Sequence, residues 1–219
     1  MTVDAVVRTF GLAPETASAL GTYVDLLVRY QAANVTGARG QAAGVERLVA
    51  DSLALLDVEE LTARALAGGA VADLGAGAGV PGLPLAFALP ALSLTLIESV
   101  GKKCRFLEQA VKACGVGDRV RVACVRSERL AAAGADGREA FAVVLAKAVG
   151  SLATVAELAA PLLAPGGVLL ASKTRRALRC RGEPVVVADR GCRGWIKVPV
   201  GGWARGSASG IIAPMREPE

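Results

Sequence analysis

The residues best suited to chemistry gather in one loop and one acid. Val71-Ala-Asp-Leu-Gly-Ala-Gly-Ala-Gly-Val-Pro-Gly82 follows a short apolar run and alternates glycine with small residues. Glycines at the end of a strand let the backbone turn sharply and approach a ligand with no Cβ in the way. Pro81 suits the start of the next helix, whose free N–H groups then face the ligand. Glu98 stands about 25 residues beyond Asp73 and closes a second apolar run. A carboxylate there can accept hydrogen bonds from both hydroxyls of an adenosine ribose.

Two nucleotide ligands use such a platform. Gly77-x-Gly79-x-x-Gly82 satisfies the dinucleotide fingerprint, which admits a nicotinamide-dinucleotide-binding oxidoreductase. S-adenosylmethionine has no pyrophosphate and carries a sulfonium and an ammonium, so it favours an acid beside the loop. Asp73, two residues before Gly75, supplies one. Pro81 also removes an N–H that a pyrophosphate would use. The residues favour the methyl donor over the dinucleotide; a plain tight turn with a satisfied Asp73 is the remaining reading.

The chain holds no histidine. That excludes His-ligated zinc, Ser-His-Asp hydrolysis, Cys-His proteolysis and histidine acid/base chemistry. Cys104, Cys114, Cys124, Cys180 and Cys192 form no C-x-x-C pair, so no metal site is expected. An odd cysteine count with no export signal in Met1–Phe10 reads as reduced thiols in a cytoplasmic protein. The ten-residue spacing of the first three cysteines carries neither ligand nor disulfide grammar. Leu74–Ile97 lacks charge, yet its glycines and prolines read as strand, turn, helix and strand, so no membrane partner is expected.

Positioning these residues takes an α/β architecture. Pro14 and Glu15 suit a first turn, and Leu20, Val24, Leu27 and Val28 recur at helical spacing. A polar loop at Asn34–Arg39 and a second helix over Val45–Leu56 follow. Strands are then expected at Ala70–Gly75, Ser93–Glu98, Arg119–Val125, Phe141–Ala146 and Gly167–Ser172. Helices are expected between them, at Gly82–Ala88, Lys102–Cys114 and Ser151–Leu163. Strands that alternate with helices in units this short need crossover connections, hence a mostly parallel sheet with helices on both faces. The expected organisation is an N-terminal helical segment over 1–60, a Rossmann-like core over 61–173 and a basic Gly/Arg-rich segment over 174–219. In that last segment Glu183–Ala188 and Trp195–Val200 are candidate strands. The net charge of +5 lies wholly there, with nine basic against four acidic residues, a common electrostatic footprint for nucleic acid.

Several segments, in order, resemble the RsmG (GidB) family of bacterial methyltransferases. They are Asn34-Val-Thr-Gly-Ala-Arg39, Arg47-Leu-Val-Ala-Asp-Ser-Leu53, Asp73–Pro84, Glu98-Ser-Val-Gly-Lys-Lys-Cys-Arg-Phe-Leu107, Arg126-Ser-Glu128, Ala146-Lys-Ala148 and Leu163-Ala-Pro-Gly-Gly167. The resemblance implies a Rossmann-like S-adenosylmethionine-dependent methyltransferase fold. It also implies a cytoplasmic enzyme that methylates N7 of one guanine, guanine 527, in 16S rRNA of the small ribosomal subunit. Carried over by position, it implies donor contacts at Gly75, Gly77 and Val80, at Ser127 and Glu128, and at Lys147, with Glu98 in the ribose role. The family has arginine where Lys147 stands and histidine where Leu48 stands. Residues 174–219 do not align with the helix and two strands that end the family's sheet. A methyltransferase of another substrate and a nicotinamide oxidoreductase stay as alternatives.

Guanine N7 carries an in-plane lone pair and no proton, so its methylation needs no general base. Asn34 and Asp51 are candidate acceptors for charge growing on the purine. Arg39, Arg47, Lys102, Lys103, Arg105 and Arg129 are candidate phosphate contacts.

Overall fold

The structure, a computed structural model, describes residues 2–30, 42–174, 185–189 and 193–199. Four helices lead: α1 (Val3–Thr9), α2 (Pro14–Arg29), α3 (Ala42–Leu53) and α4 (Glu59–Leu66). Pro14 occupies the first turn of α2, where a missing N–H costs nothing. Leu20, Tyr23, Val24 and Leu27 then bury one stripe of that helix. Each such side chain contributes about 1.5–3 kcal/mol when fully buried.

From Val71 strands and helices alternate: β1 (Val71–Leu74), α5 (Gly82–Ala88), β2 (Leu94–Glu98), α6 (Gly101–Ala113) and β3 (Val120–Cys124). Then come α7 (Ser127–Leu130), β4 (Phe141–Lys147), α8 (Leu152–Ala159) and β5 (Leu163–Thr174). Ser151 caps α8 by accepting from the Thr154 N–H at 3.1 Å. The helix expected over Ser151–Leu163 stops at Ala159 in a 3₁₀ turn over Ala160–Leu162. Pro161 lacks the N–H that would continue it.

The sheet order is β3-β2-β1-β4-β5-β7-β6, with β6 (Val185–Asp189) and β7 (Arg193–Pro199) completing it. β1 to β5 pair in parallel, whereas β7 lies antiparallel between β5 and β6. The two candidate strands beyond Lys173 therefore extend the main sheet. β6 and β7 are consecutive and antiparallel, which needs no crossover helix, and β7 rather than β6 pairs with β5.

Strand residues alternate between two buried layers, as a period of two demands. Val71, Leu94, Leu96, Val143, Leu145, Val168 and Leu170 pack with the N-terminal helices, α5 and α6. Ala72, Leu74, Ile97, Val144, Ala146, Leu169 and Ala171 pack with α8 on the other face. Asp73, Glu98 and Lys147 share the parity of the first set, so they belong to the N-terminal helical side.

The cysteine expectation needs correcting. Cys104 and Cys124 form a disulfide, with their Cα atoms 5.7 Å apart. The linear spacing hid this because α6 folds back along β3, which brings its first turn beside the last residue of that strand. Cys114 stays a thiol, and burial pushes its pKa up to about 11. Cys180 and Cys192 lie outside the described residues.

Candidate functional site

The strand order reverses between β1 and β4, where connections leave β1 and β4 toward opposite ends of the sheet. Ligands of open α/β sheets bind at such a point, outside the strands' carboxyl ends. A cavity of about 150 Å³ opens there. Its lining comes from Leu74 and Gly75 after β1, Ile97, Glu98 and Ser99 after β2, Val125–Glu128 after β3, Val149 after β4, and Leu158 of α8.

The loop between β1 and α5 is a run of left-handed glycines. Gly75, Gly77 and Gly79 have φ of +69°, +56° and +86°, conformations that L side chains resist. At Gly75 a Cβ would also stand 2.8 Å from Val149 Cγ2. The loop's N–H groups tie it down: Gly75 and Ala76 donate to the Ile97 carbonyl at 2.9 and 3.0 Å, and Gly79 to Ala76 at 2.7 Å.

Glu98 is 6% exposed and faces the cavity. Its Oε2 accepts from the Gly77 N–H at 3.0 Å, and its Oε1 accepts from Ser99 and Val100 at 2.8 and 2.9 Å. Lys103 Nζ approaches Oε2 at 3.9 Å. An ionised carboxylate offers about four acceptor sites, and three serve the backbone here. Room for a ribose hydroxyl is left beside Oε2; serving two would require Gly77 to yield.

Asp73 is 1% exposed and sits beneath the loop rather than in the cavity wall. Its Oδ2 accepts from the Gly82 N–H at 2.9 Å. Its Oδ1 has no hydrogen-bond partner among the described residues. Burial raises its pKa from 3.8 to about 7, opposed by the Gly82 hydrogen bond and the Lys147 charge, and assisted by the Glu98 charge. A buried carboxyl this reluctant to ionise gains from any cation brought near. That is the demand a sulfonium and an ammonium would meet, so the loop and its acids fit the methyl donor.

Ser127 and Glu128 line the cavity. The Ser127 hydroxyl donates to Glu128 Oε2 at 3.1 Å, and Arg126 Nη2 holds Oε1 at 3.1 Å. The Glu128 pKa is lowered by its own backbone N–H, then by Arg126 and Ser127. Gly77 contributes through Glu98. Val80 packs against the core beside α5 instead of lining the cavity. Lys147 ends β4 buried, and its Nζ donates to the Leu48 carbonyl of α3 at 3.5 Å. It also lies outside the cavity lining and acts on the site through its charge near Asp73.

Asp51 lies on α3, half-buried, and Arg47 lies on the same helix with its side chain outside the described part. Asn34 and Arg39 fall outside the described residues. Sequence reading missed Ser99, Val125, Val149 and Leu158. The first two adjoin residues that were singled out. Val149 and Leu158 carry no polar signal, and only the crossover after β4 brings them over the cavity.

Five parallel strands in this order, helices on both faces and a glycine loop at the reversal define the Rossmann-like methyltransferase class. A protein of Thermus thermophilus shares the fold at 24% identity, with a TM-score of 0.54 over 67% of this chain and 84% of that one. The profile of the family described as rRNA small subunit methyltransferase G matches residues 16–180. The chain belongs to that family. Ribosomal RNA small subunit methyltransferase G of Stenotrophomonas maltophilia is 40% identical over 173 residues, 78% of this chain and 76% of that protein. The protein of the same name from Halorhodospira halophila is 44% identical over 155 residues, 70% and 68% of the two chains. The chain is accordingly an enzyme of the methyltransferase class.

Proposed function

We propose that this enzyme transfers a methyl group from S-adenosylmethionine to N7 of guanine 527 in 16S rRNA, in the cytoplasm, and that the cavity at the sheet reversal receives the donor. The observation that carries this reading is the convergence of Gly75, Glu98, Ser127 and Glu128 on one cavity from three separate loops. Family membership supports the substrate class. Bound there, the donor supplies an electrophilic methyl group on a sulfonium, whose C–S bond breaks as the purine nitrogen forms the new C–N bond.

The protein's own work is then to hold, align and exclude water. The glycine loop admits a ligand to backbone distance. Glu98 accepts a ribose hydroxyl, Ser127 and Glu128 flank the purine end, and the Asp73 carboxyl lies under the cationic end. N7 has no proton to lose, so a chain without histidine lacks nothing the reaction needs. Alignment alone supplies effective molarities of about 10⁵ M or more in well-oriented systems. The target base must leave its stack for N7 to reach the methyl in line.

The test is methyl transfer to 16S rRNA and to assembled small subunits lacking the modification, followed by chemical cleavage at the modified base. Cleavage at guanine 527 supports the reading. Transfer elsewhere in the RNA replaces the position, and failure to bind S-adenosylhomocysteine removes the donor.

A further inference from the structure

The N-terminal helices cover the sheet, and one of their side chains reaches the glycine loop itself. Tyr23, on the buried stripe of α2, is fully enclosed, and its hydroxyl donates to the Ala78 carbonyl at 2.6 Å. Ala78 is the middle residue of the left-handed Gly77-Ala-Gly79 turn and is itself 2% exposed. The ring is held edge-on to Phe87 of α5, with centroids 5.7 Å apart. Burial, and then the nearby Asp73 charge, push the phenol pKa well above its ordinary value, so the hydroxyl keeps its proton and stays a donor.

The loop therefore has two side-chain anchors on adjacent residues. Glu98 holds the Gly77 N–H, and Tyr23, from the N-terminal helical layer, holds the next residue's carbonyl. Glycines at three of five consecutive positions leave the loop's own torsions loosely determined. Something outside it has to select one conformation. A phenol on a long helix with a packed ring is a stiff fixture for that purpose. The hydroxyl is committed to the loop carbonyl, and among the described residues Asp73 Oδ1 receives no hydrogen bond from it or any other donor.

We propose that Tyr23 is a positioning residue for the methyl donor: through the Ala78 carbonyl it fixes the glycine loop in its donor-accepting shape, which makes the N-terminal helical layer part of the donor site. This rests on the reading of that loop as the donor platform.

Tyr23→Phe keeps the ring and removes the bond. Thr16→Val is the comparison. Thr16 sits on the same helix, and its hydroxyl donates to the Phe87 carbonyl at 3.3 Å, away from the loop. Three measurements decide: amide hydrogen exchange over residues 75–82 in the protein alone, the Kd for S-adenosylhomocysteine, and separate KM values for donor and RNA. Tyr23→Phe leaves the buried Ala78 carbonyl without its hydrogen-bond donor and is expected to weaken methyl-donor binding about tenfold. It should raise the donor KM with the RNA KM unchanged, and speed exchange in the loop. Thr16→Val should lower the melting temperature and leave all three readouts in place. Unchanged exchange and donor affinity in Tyr23→Phe, or equal losses in Thr16→Val, overturn the proposal. If the wild-type chain itself does not bind S-adenosylhomocysteine, the donor reading fails and takes this role with it; faster loop exchange in Tyr23→Phe would then mark a purely structural pin.

Discussion

Asp73 and Glu98 are both buried, and their hydrogen-bond partners separate them. Among the described residues Glu98 accepts from three N–H donors, whereas Asp73 accepts from one and leaves Oδ1 without a partner. For Asp73 the folded pKa of about 7 lies above the ordinary 3.8. The folded state thus holds the extra proton, and this group's stabilising contribution is complete below about pH 4 and lost as pH rises through 7. A cationic donor reverses the preference, because it favours the ionised carboxyl. S-adenosylmethionine affinity should therefore rise between pH 6 and 8, with proton release visible as a buffer-dependent calorimetric heat. Asp73→Asn should flatten that profile, and a profile unchanged by the substitution would exclude Asp73 as its source. Glu98→Gln turns an all-acceptor group into one whose amide N–H₂ must face a backbone donor. Charge-assisted bonds are roughly twice as strong as neutral ones, so calorimetry with S-adenosylhomocysteine should show affinity down about tenfold or more.

The strand–loop–helix unit at the donor end is the element on which the reading turns. Gly75 combines left-handed φ with a Cβ position 2.8 Å from Val149 Cγ2. Gly75→Ala should cost stability by about 2–4 kcal/mol, from backbone strain and displacement of Val149, yet abolish detectable donor binding, because Val149 and the new methyl compete for the cavity wall. Thermal unfolding beside donor titration separates the two effects. Much of this unit was legible in the chain: alternating glycines and Pro81 mark a turn after the first apolar run, and Glu98 closes the second. The helix over Gly82–Ala88 was expected at the bounds observed. Short α1, α4 and α7 were not, since one or two turns give too few repeats to reveal a period. Tyr23, Val149 and Leu158 were also invisible as site residues. Their roles come from the layers they cross, and an aromatic on a buried stripe looks the same whether it fills space or holds a carbonyl. The Cys104–Cys124 bond was hidden for the same reason.

At the scale of the whole molecule, the donor cavity shares its edge with three exposed basic side chains. Lys102 and Arg105 stand in the first turns of α6, directly after the strand that ends in Glu98, and Arg129 follows β3 on α7; all three are exposed. Lys103 and Arg126 are partly committed to Glu98 and Glu128, so they are poorer probes of RNA binding. An RNA strand drawn along this edge would present a flipped base to the cavity while its phosphates meet the cations, an arrangement a basic surface elsewhere could not give. Neutralising Lys102, Arg105 and Arg129 together to glutamine removes three such contacts without touching the cavity lining. RNA affinity should fall and its salt dependence should flatten by about 0.7 per lost contact, or about two units of log–log slope, if the target segment is single-stranded. Donor affinity should stay at the wild-type value. A triple variant with the original salt slope would place the RNA on another face and break the link between this edge and the substrate. A variant that also lost the donor would mean that these cations support the site itself.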